Sequence, residues 1–386
     1  QALVKKGVQV HLLTAYKKGL KKKERKDGFT IHRKLKTSTR VDSVWGNLTR
    51  DSKLPRSIEK ELGSMVKKYH IDLIHFFGNT IIGAKKAKAL GIPAVATIES
   101  YVALCPKGDK LYPGEHPDKI ITSFKEFYHI QKKSSEIGKM RNKAYMKHNP
   151  LFLGYLYKRF KNLNASLKYA RLIAISEYIQ GIVKKFGYVS TIIPNAFELD
   201  QFKKRNRTNK KPSLLYLGSL TKFKGPQVLL KAMQGLDVHL DLYGKGPLEQ
   251  ELKTTIKKQK IDAKIHGHVP YDKIPEVYAK ADIVVFPSIW PEPFGRIAIE
   301  RMAAGKPVIG SRVGGITETL SHTGILVKPG NVEDLRKAIK KLIDNKKLQK
   351  EIAAKGRKQI KQYQAETVIK QLLQVYQETS RKRYSI

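Results

Sequence analysis

The sequence predicts two α/β domains, each a parallel sheet with helices on both faces. Three observations carry that prediction. Short apolar, β-branched runs alternate with helical segments almost throughout the chain. The alternation pauses once, after Pro194 and Asn195, at a basic polar stretch over 203–211 that reads as a linker, and then restarts. The chain has 386 residues, too many for one ordinary core and about right for two domains.

In the first half, residues 8–13, 71–76, 92–97 and 171–175 read as strands. The lysine cluster from Lys17 to Lys26 reads as a loop. In the second half, strands are expected at 213–217, 238–242, 263–266, 282–286, 307–309 and 325–327. Pro226 opens a helix, a position that suits its fixed φ. Three polar helices close the chain, the last over about 366–383.

The most informative stretch is 287–300, which reads Pro-Ser-Ile-Trp-Pro-Glu-Pro-Phe-Gly-Arg-Ile-Ala-Ile-Glu. The buried strand before it ends at Phe286. After it, Ile297, Ala298, Met302 and Ala303 fall at helical spacing, and Gly305 with Pro307 stops the helix. Open α/β sheets bind ligands at such strand-to-helix turns. The N–H groups of Phe294, Gly295, Arg296 and Ile297 would point at an anion. Glu292 precedes the helix, and Glu300 lies about two turns in, roughly 9 Å along its axis. Two carboxylates so placed suit hydroxyls at the two ends of one elongated ligand with phosphates between them.

Residues 217–225 (Leu-Gly-Ser-Leu-Thr-Lys-Phe-Lys-Gly) form a second strand-to-helix turn, suited to a diphosphate. Residues 243–247 (Tyr-Gly-Lys-Gly-Pro) and 266–269 (His-Gly-His-Val) follow two further strands, and alone they signal only turns. Taken together, residues 291–295, Glu300, 303–308 (Ala-Ala-Gly-Lys-Pro-Val) and 313–318 (Val-Gly-Gly-Ile-Thr-Glu) resemble the nucleotide-sugar signature of family 4 retaining glycosyltransferases. The resemblance is strong from 213 to 330 and weak over 1–90.

The resemblance implies a GT-B fold: two Rossmann-like domains facing each other across a cleft, with a C-terminal helix returning to the first. The domains would be an acceptor-side domain over 1–195, a nucleotide-sugar domain over 196–362 and the terminal helix over 363–386. Glu292 would hold a hydroxyl of the transferred sugar, Glu300 the ribose and Lys224 the diphosphate. Gly218, Ser219, Gly244 and Gly246 would line the nucleotide, and Val269 would lie beside the base. Ser219 stands where the family usually has arginine, which removes one phosphate charge; Lys222 and Arg296 are candidate substitutes. Residues 96–113 resemble a first-domain segment in which a histidine usually occupies the position of Glu99, so Glu99 is a catalytic candidate of altered chemistry. Residues 176–177 and 193–195 match family turns near the domain junction, and a helix cap and a turn account for them equally well. Residues 2–7 look like the end of the family's first helix. The expectation is therefore a fragment that starts after the first strand, the alternative being a sheet that lacks it.

The formal charge is +43, from 76 Lys and Arg against 33 Asp and Glu. Such an excess implies a polyanionic neighbour: nucleic acid, an anionic membrane face or phosphate-bearing substrates. No nucleic-acid reading module is present, so nucleic acid is not the expected partner. Residues 132–171 interleave Lys and Arg with aromatic side chains, which suits a helix lying at a lipid surface. A helix packed into the first domain with solvated lysines suits the same pattern. The expectation is a cytoplasmic protein that binds the inner membrane face reversibly and acts on a glycan or lipid-linked acceptor. The single cysteine, Cys105, suits a reducing compartment. The histidines show no metal-ligand spacing, and no metal or cofactor is expected. A nucleotide-sugar binder with weakened catalysis remains the alternative, because of Ser219, Glu99 and the missing strand.

Overall fold

The computed structural model describes residues 1–37, 44–108, 120–133, 149–202 and 211–381. The chain divides into two units. The first comprises 1–175, 179–193 and 369–386, and the second 176–178 and 194–368.

The strands of the first unit form two sheets. One holds β1 (His11–Ala15), β2 (Lys23–Lys26) and β3 (Phe29–Leu35), in the order β1-β3-β2. The other holds β4 (Ile74–Phe77), β5 (Ala94–Ile98), β6 (Arg171–Ala174) and β7 (Ser190–Ile192), parallel and in sequence order. β1 and β4 end their respective sheets, and Leu12 and Phe77 on them are 46% and 48% exposed.

The lysine cluster expected as a loop ends instead in a strand. Asp27 and Gly28 both take positive φ, at 49° and 82°, and close a tight turn that pairs β2 antiparallel to β3. Hairpin geometry overrides the poor strand propensity of lysine here because both faces of β2 are largely solvated.

The last helix, Ala365–Arg381, contributes its residues from Ile369 onward to the first unit. Tyr376 meets His75 Nδ1 at 2.6 Å, and Glu378 pairs with Arg171 at 2.6 Å. The other His75 nitrogen lies 2.7 Å from Thr97 Oγ1. Burial pushes the His75 pKa down to about 4, so the ring is neutral at pH 7 and bonds both hydroxyls without charge.

The second unit is built on one parallel sheet. Its strands are β8 (Ser213–Leu217), β9 (His239–Tyr243), β10 (Ala263–Gly267), β11 (Ile283–Phe286), β12 (Val308–Ser311) and β13 (Ile325–Val327). Their order is β10-β9-β8-β11-β12-β13, and every pairing is parallel. β8, β11 and β12 are buried at every position, as both-face helix cover requires. Leu214, Tyr216, Leu229, Leu240, Ile283 and Ile339 belong to one core beneath them. The chain runs outward from β8 through β9 to β10, then returns to the other side of β8 and runs through β11 to β13. The strand order therefore switches between β8 and β11, which is where such sheets open a crevice at their carboxyl ends.

Two cations lie buried in this unit without having been anticipated from sequence. The Arg301 guanidinium donates to Thr323 Oγ1 at 2.7 Å and to the Lys306 carbonyl. Lys306 Nζ donates to the Ala281 carbonyl at 2.6 Å, just past the helix Ile274–Lys280, where the carbonyl end of the helix dipole favours a cation. Burial pushes the Lys306 pKa down to about 8.

No helix among the described residues is long and apolar enough to cross a membrane.

Candidate functional site at the switch between β8 and β11

Two turns meet at the switch point. The first follows β8 and carries Lys224 in a short 3-10 turn, Lys222–Lys224. Gly225 ends that turn at φ +72° and is also the residue from which the helix Pro226–Met233 starts. A Cβ at Gly225 would stand 2.0 Å from the Pro287 carbonyl oxygen, so only glycine lets the two turns approach this closely. The second turn follows β11. The Phe223 carbonyl accepts from the backbone N–H groups of Ile289 and Trp290 at 2.7 and 3.1 Å, tying the second turn to the first.

This junction brings together Lys224 and Glu292, which lie 68 positions apart in sequence. Lys224 Nζ pairs with Glu292 Oε1, and Ser288 Oγ donates to the same oxygen at 3.1 Å. Glu292 is buried, so its charge is held by an ammonium and a hydroxyl rather than by water. Ser288 gave no signal in sequence beyond its place before the motif.

The helix Arg296–Ala303 begins after Gly295, which takes φ +89°. The preceding carbonyls are each engaged. The carbonyl of Glu292 accepts from Gly315 N at 2.7 Å, that of Pro293 from Ser176 Oγ at 2.6 Å, and that of Phe294 from Thr319 Oγ1 at 2.8 Å. Ala298 N already donates to the Gly295 carbonyl at 2.9 Å, so the N–H groups of Arg296 and Ile297 at the helix start are the ones placed for a ligand. Gly314, at φ +59°, would put a Cβ 2.4 Å from the Glu292 carbonyl oxygen. The paired glycines at 314–315 thus exist to let this turn pack closely. Phe294 is buried, stacked on Phe197 with centroids 6.1 Å apart, so it can offer a ligand only its backbone.

Glu300 does not stand open to solvent. Its carboxylate is buried, accepting from Arg296 Nε at 2.8 Å and Tyr278 Oη at 3.1 Å. Burial raises its pKa, and Arg296 and Tyr278 oppose that rise. Arg296, expected toward the phosphates, here bridges Glu300 and the face of Tyr271. Neither Tyr271 nor Tyr278 was marked by the sequence, because tyrosines at those spacings read equally well as core.

The remaining loops zip onto the β8 turn. Gly218 N donates to the Tyr243 carbonyl and Leu220 N to the Lys245 carbonyl, both at 3.0 Å. Gly244 N donates to the Gly267 carbonyl at 2.7 Å, which brings the 266–269 turn, and so Val269, into the same rim. A Cβ at Gly244 would stand 1.8 Å from the Gly218 carbonyl oxygen, and one at Gly246 2.4 Å from that of Leu220. These glycines therefore permit close backbone approach between loops. The Ser219 carbonyl accepts from Tyr216 Oη at 2.8 Å, and its hydroxyl lies 3.5 Å from Thr221 Oγ1. Lys222 is exposed.

Residues 176–177 reach the turns of the second unit's site. The Ser176 hydroxyl bonds the Pro293 carbonyl, and it is Glu318 that accepts from Glu177 N, at 2.7 Å.

In the first unit, Glu99 follows β5 and rims a small cavity shared with Gly78, Ile98, Ser100 and Ala103. Loss of solvent around it raises its carboxyl pKa. Cys105 is buried close by in sequence. The aromatic-basic helix expected at a lipid surface, Pro150–Ser166, spends its apolar side in packing. Leu153 joins Ile121, Phe127 and Ile130 in a buried cluster, and Phe160 and Leu163 are buried too. Arg159 does not face outward: it pairs with Asp51 at 3.0 Å and donates to Asn79 at 3.1 Å. Lys158, Lys161 and the 84% exposed Leu151 do remain on the surface. Residues 134–148 of the predicted segment lie outside the described residues.

A family model described as Glycosyltransferase Family 4 matches residues 1–201, and one described as Glycosyl transferases group 1 matches residues 198–359. An uncharacterized glycosyltransferase of Methanocaldococcus jannaschii is 31% identical over 169 residues, 43% of this chain and 48% of that protein. The chain thus spans about half the length of that curated relative. Sucrose-phosphate synthase of Thermosynechococcus elongatus shares the fold, with a TM-score of 0.71 at 20% identity, over 98% of this chain and 90% of that one. HepE of Anabaena, solved in complex with UDP-glucose, aligns with a TM-score of 0.60 at 20% identity, over 87% of this chain and 84% of that one.

Proposed function

The chain belongs to Glycosyltransferase Family 4, and from that premise we propose that it is a retaining glycosyltransferase which moves a hexose from a nucleotide-sugar donor to a glycan or lipid-linked acceptor. The observation that carries the reading is the meeting of Lys224 and Glu292 at the strand-order switch, with Glu300 two turns along the helix that starts there. In this reading the donor diphosphate lies against Lys224 and the first-turn N–H groups of the helix Arg296–Ala303. As the bond from the anomeric carbon to the diphosphate breaks, its electron pair goes to the phosphate oxygen. A fixed ammonium and fixed N–H dipoles there stabilise that charge without reorganising. Glu292 orients a sugar hydroxyl and Glu300 a ribose hydroxyl. The acceptor attacks from the face the diphosphate leaves, so the anomeric configuration is kept. Glu99, with its raised pKa, is the first unit's candidate proton acceptor or hydroxyl ligand. No metal is needed in this scheme.

A thermal-shift screen of UDP-glucose, GDP-mannose and ADP-glucose, followed by assays of donor hydrolysis and transfer, tests the reading. A donor at 100 times its Kd stabilises by about 2.7 kcal/mol, which corresponds to a Tm rise of a few degrees. One of the three is expected to give that rise and to be turned over. A rise without turnover would favour the weakened-binder alternative, and no rise with any donor would remove both.

The proposal extends to the membrane face. The support is the segment that leads from β1 into the β2 hairpin, where Lys17, Lys18, Lys21 and Lys22 are exposed beside Tyr16 and Leu20, themselves 43% and 47% exposed, and the hairpin itself. Its two acidic side chains are engaged, Glu24 by Arg33 and Asp27 by Gln1. Each cation near an anionic surface contributes about 1 kcal/mol, and insertion of apolar side chains adds to it. Co-sedimentation with phosphatidylglycerol vesicles is expected at low salt and lost at high salt or on zwitterionic vesicles. Replacing Lys17, Lys21 and Lys22 by glutamate should abolish it. Absence of binding to anionic vesicles at low salt removes the membrane part alone.

A further inference from the structure

Each of the two cations at the switch point is held by a carboxylate and by an aromatic ring at once. Lys224 Nζ pairs with Glu292 and lies 4.6 Å from the centroid of the Trp290 ring. The Arg296 guanidinium pairs with Glu300 and lies 4.6 Å from the centroid of the Tyr271 ring. The other cation–ring contacts among the described residues are longer, from 5.1 to 5.9 Å. The rings are also tied to the site's framework. Trp290 N donates to the carbonyl of Phe223, the residue before Lys224, and the Trp290 carbonyl oxygen lies 3.1 Å from Ser288 Oγ. The ring and its lysine are thereby anchored to the same turn.

We propose that Trp290 and Tyr271 are positioning residues that keep Lys224 and Arg296 at the diphosphate when the donor's hydroxyls take over Glu292 and Glu300. The inference rests on the donor-site reading above. Without donor, each carboxylate neutralises its cation. Each partner then faces the other rather than the donor, and much of the cation's charge is offset. Donor entry must open both ion pairs, giving each carboxylate a hydroxyl and each cation a phosphate oxygen. A lysine released from its carboxylate regains the freedom of a long side chain. A ring face prevents that loss of position. It attracts the cation through its quadrupole and cancels no charge, and Tyr271 adds a hydroxyl hydrogen-bonded to Arg296 and Glu300. The ring is thus the part of each cation's surroundings that need not change between the empty and occupied site.

Fluorescence tests the exchange directly. Trp45 is the only other tryptophan, so a Trp45→Phe protein reports Trp290 alone. Titration with UDP, GDP and ADP, with calorimetry in parallel, should show a saturable change in Trp290 emission for whichever diphosphate binds, as the ammonium shifts from carboxylate to phosphate above the ring. Trp290→Leu should lower kcat about tenfold with a smaller change in KM, and Trp290→Phe should restore most of it. Tyr271→Leu should lower kcat likewise, and Tyr271→Phe, which keeps the ring but loses the hydroxyl bonds to Arg296 and Glu300, should restore less than Trp290→Phe does. Calorimetric binding with unchanged Trp290 emission, or a Trp290→Phe variant as slow as Trp290→Leu, overturns the positioning role and leaves the donor site standing. Failure of all three diphosphates to bind overturns the donor-site reading and this inference with it.

Discussion

Replacing Lys224 by alanine is expected to lower kcat about 100- to 1000-fold, the loss typical when one fixed donor to a developing anion is removed. The ammonium gains most when the diphosphate departs, because negative charge on the leaving oxygens is greatest then. Donor affinity should therefore fall less than kcat. The substitution also leaves the buried Glu292 carboxylate without its ammonium and held by the Ser288 hydroxyl, at a cost of about 1–3 kcal/mol for the loss of a buried partner. Activity must accordingly be compared at a temperature where circular dichroism shows both proteins folded. A folded Lys224→Ala protein with kcat within threefold of the parent would mean that this turn does not face the leaving group.

Glu300→Ala should weaken donor binding by about 1.5–3 kcal/mol, the range for a hydrogen bond to a charged partner, or roughly 10- to 150-fold in Kd. The structure adds a second consequence. Tyr278 is fully buried and donates to Glu300, so the alanine leaves its hydroxyl without that acceptor. A modest loss of Tm should accompany the loss of affinity. Glu300→Gln separates the two effects. It keeps an acceptor for Tyr278 and should hold most of the stability, while losing the charge that favours Arg296 and a strong ribose bond. Calorimetry is the measurement that decides. Unaltered donor affinity in folded Glu300→Ala protein would take Glu300 out of the donor site.

Much of the second unit was legible because local and global signals agree there. The runs at 213–217 and 325–327 became strands with the expected bounds, since a short apolar run bounded by turns and set between helices fits a strand of a covered parallel sheet. Gly305 ended the site helix as expected: Lys306 N bonds the Arg301 carbonyl and Gly305 N that of Met302, the pattern that a left-handed glycine closes. The first unit was harder. β2 carries no strand pattern because Lys23, Arg25 and Lys26 fill it, and only the Asp27–Gly28 turn makes its pairing with β3 apparent. β7 is three residues long and too short to give a period.

Sequence alone determined the parallel α/β class, the turn that carries Glu292 and Glu300, and the family. Each of these is written in residues close together, as a run, a period or a spacing. Tertiary structure decided who partners whom. That Lys224 meets Glu292 and Trp290, that Arg296 turns to Glu300 and Tyr271, and that Arg159 is spent on Asp51 all depend on side chains from distant segments. A charge in sequence is only an amount of charge. Whether it faces a ligand, a lipid or a buried carboxylate is settled by which strand order and which close glycine contacts bring its neighbours within about 4 Å, the range at which ion pairs outcompete water.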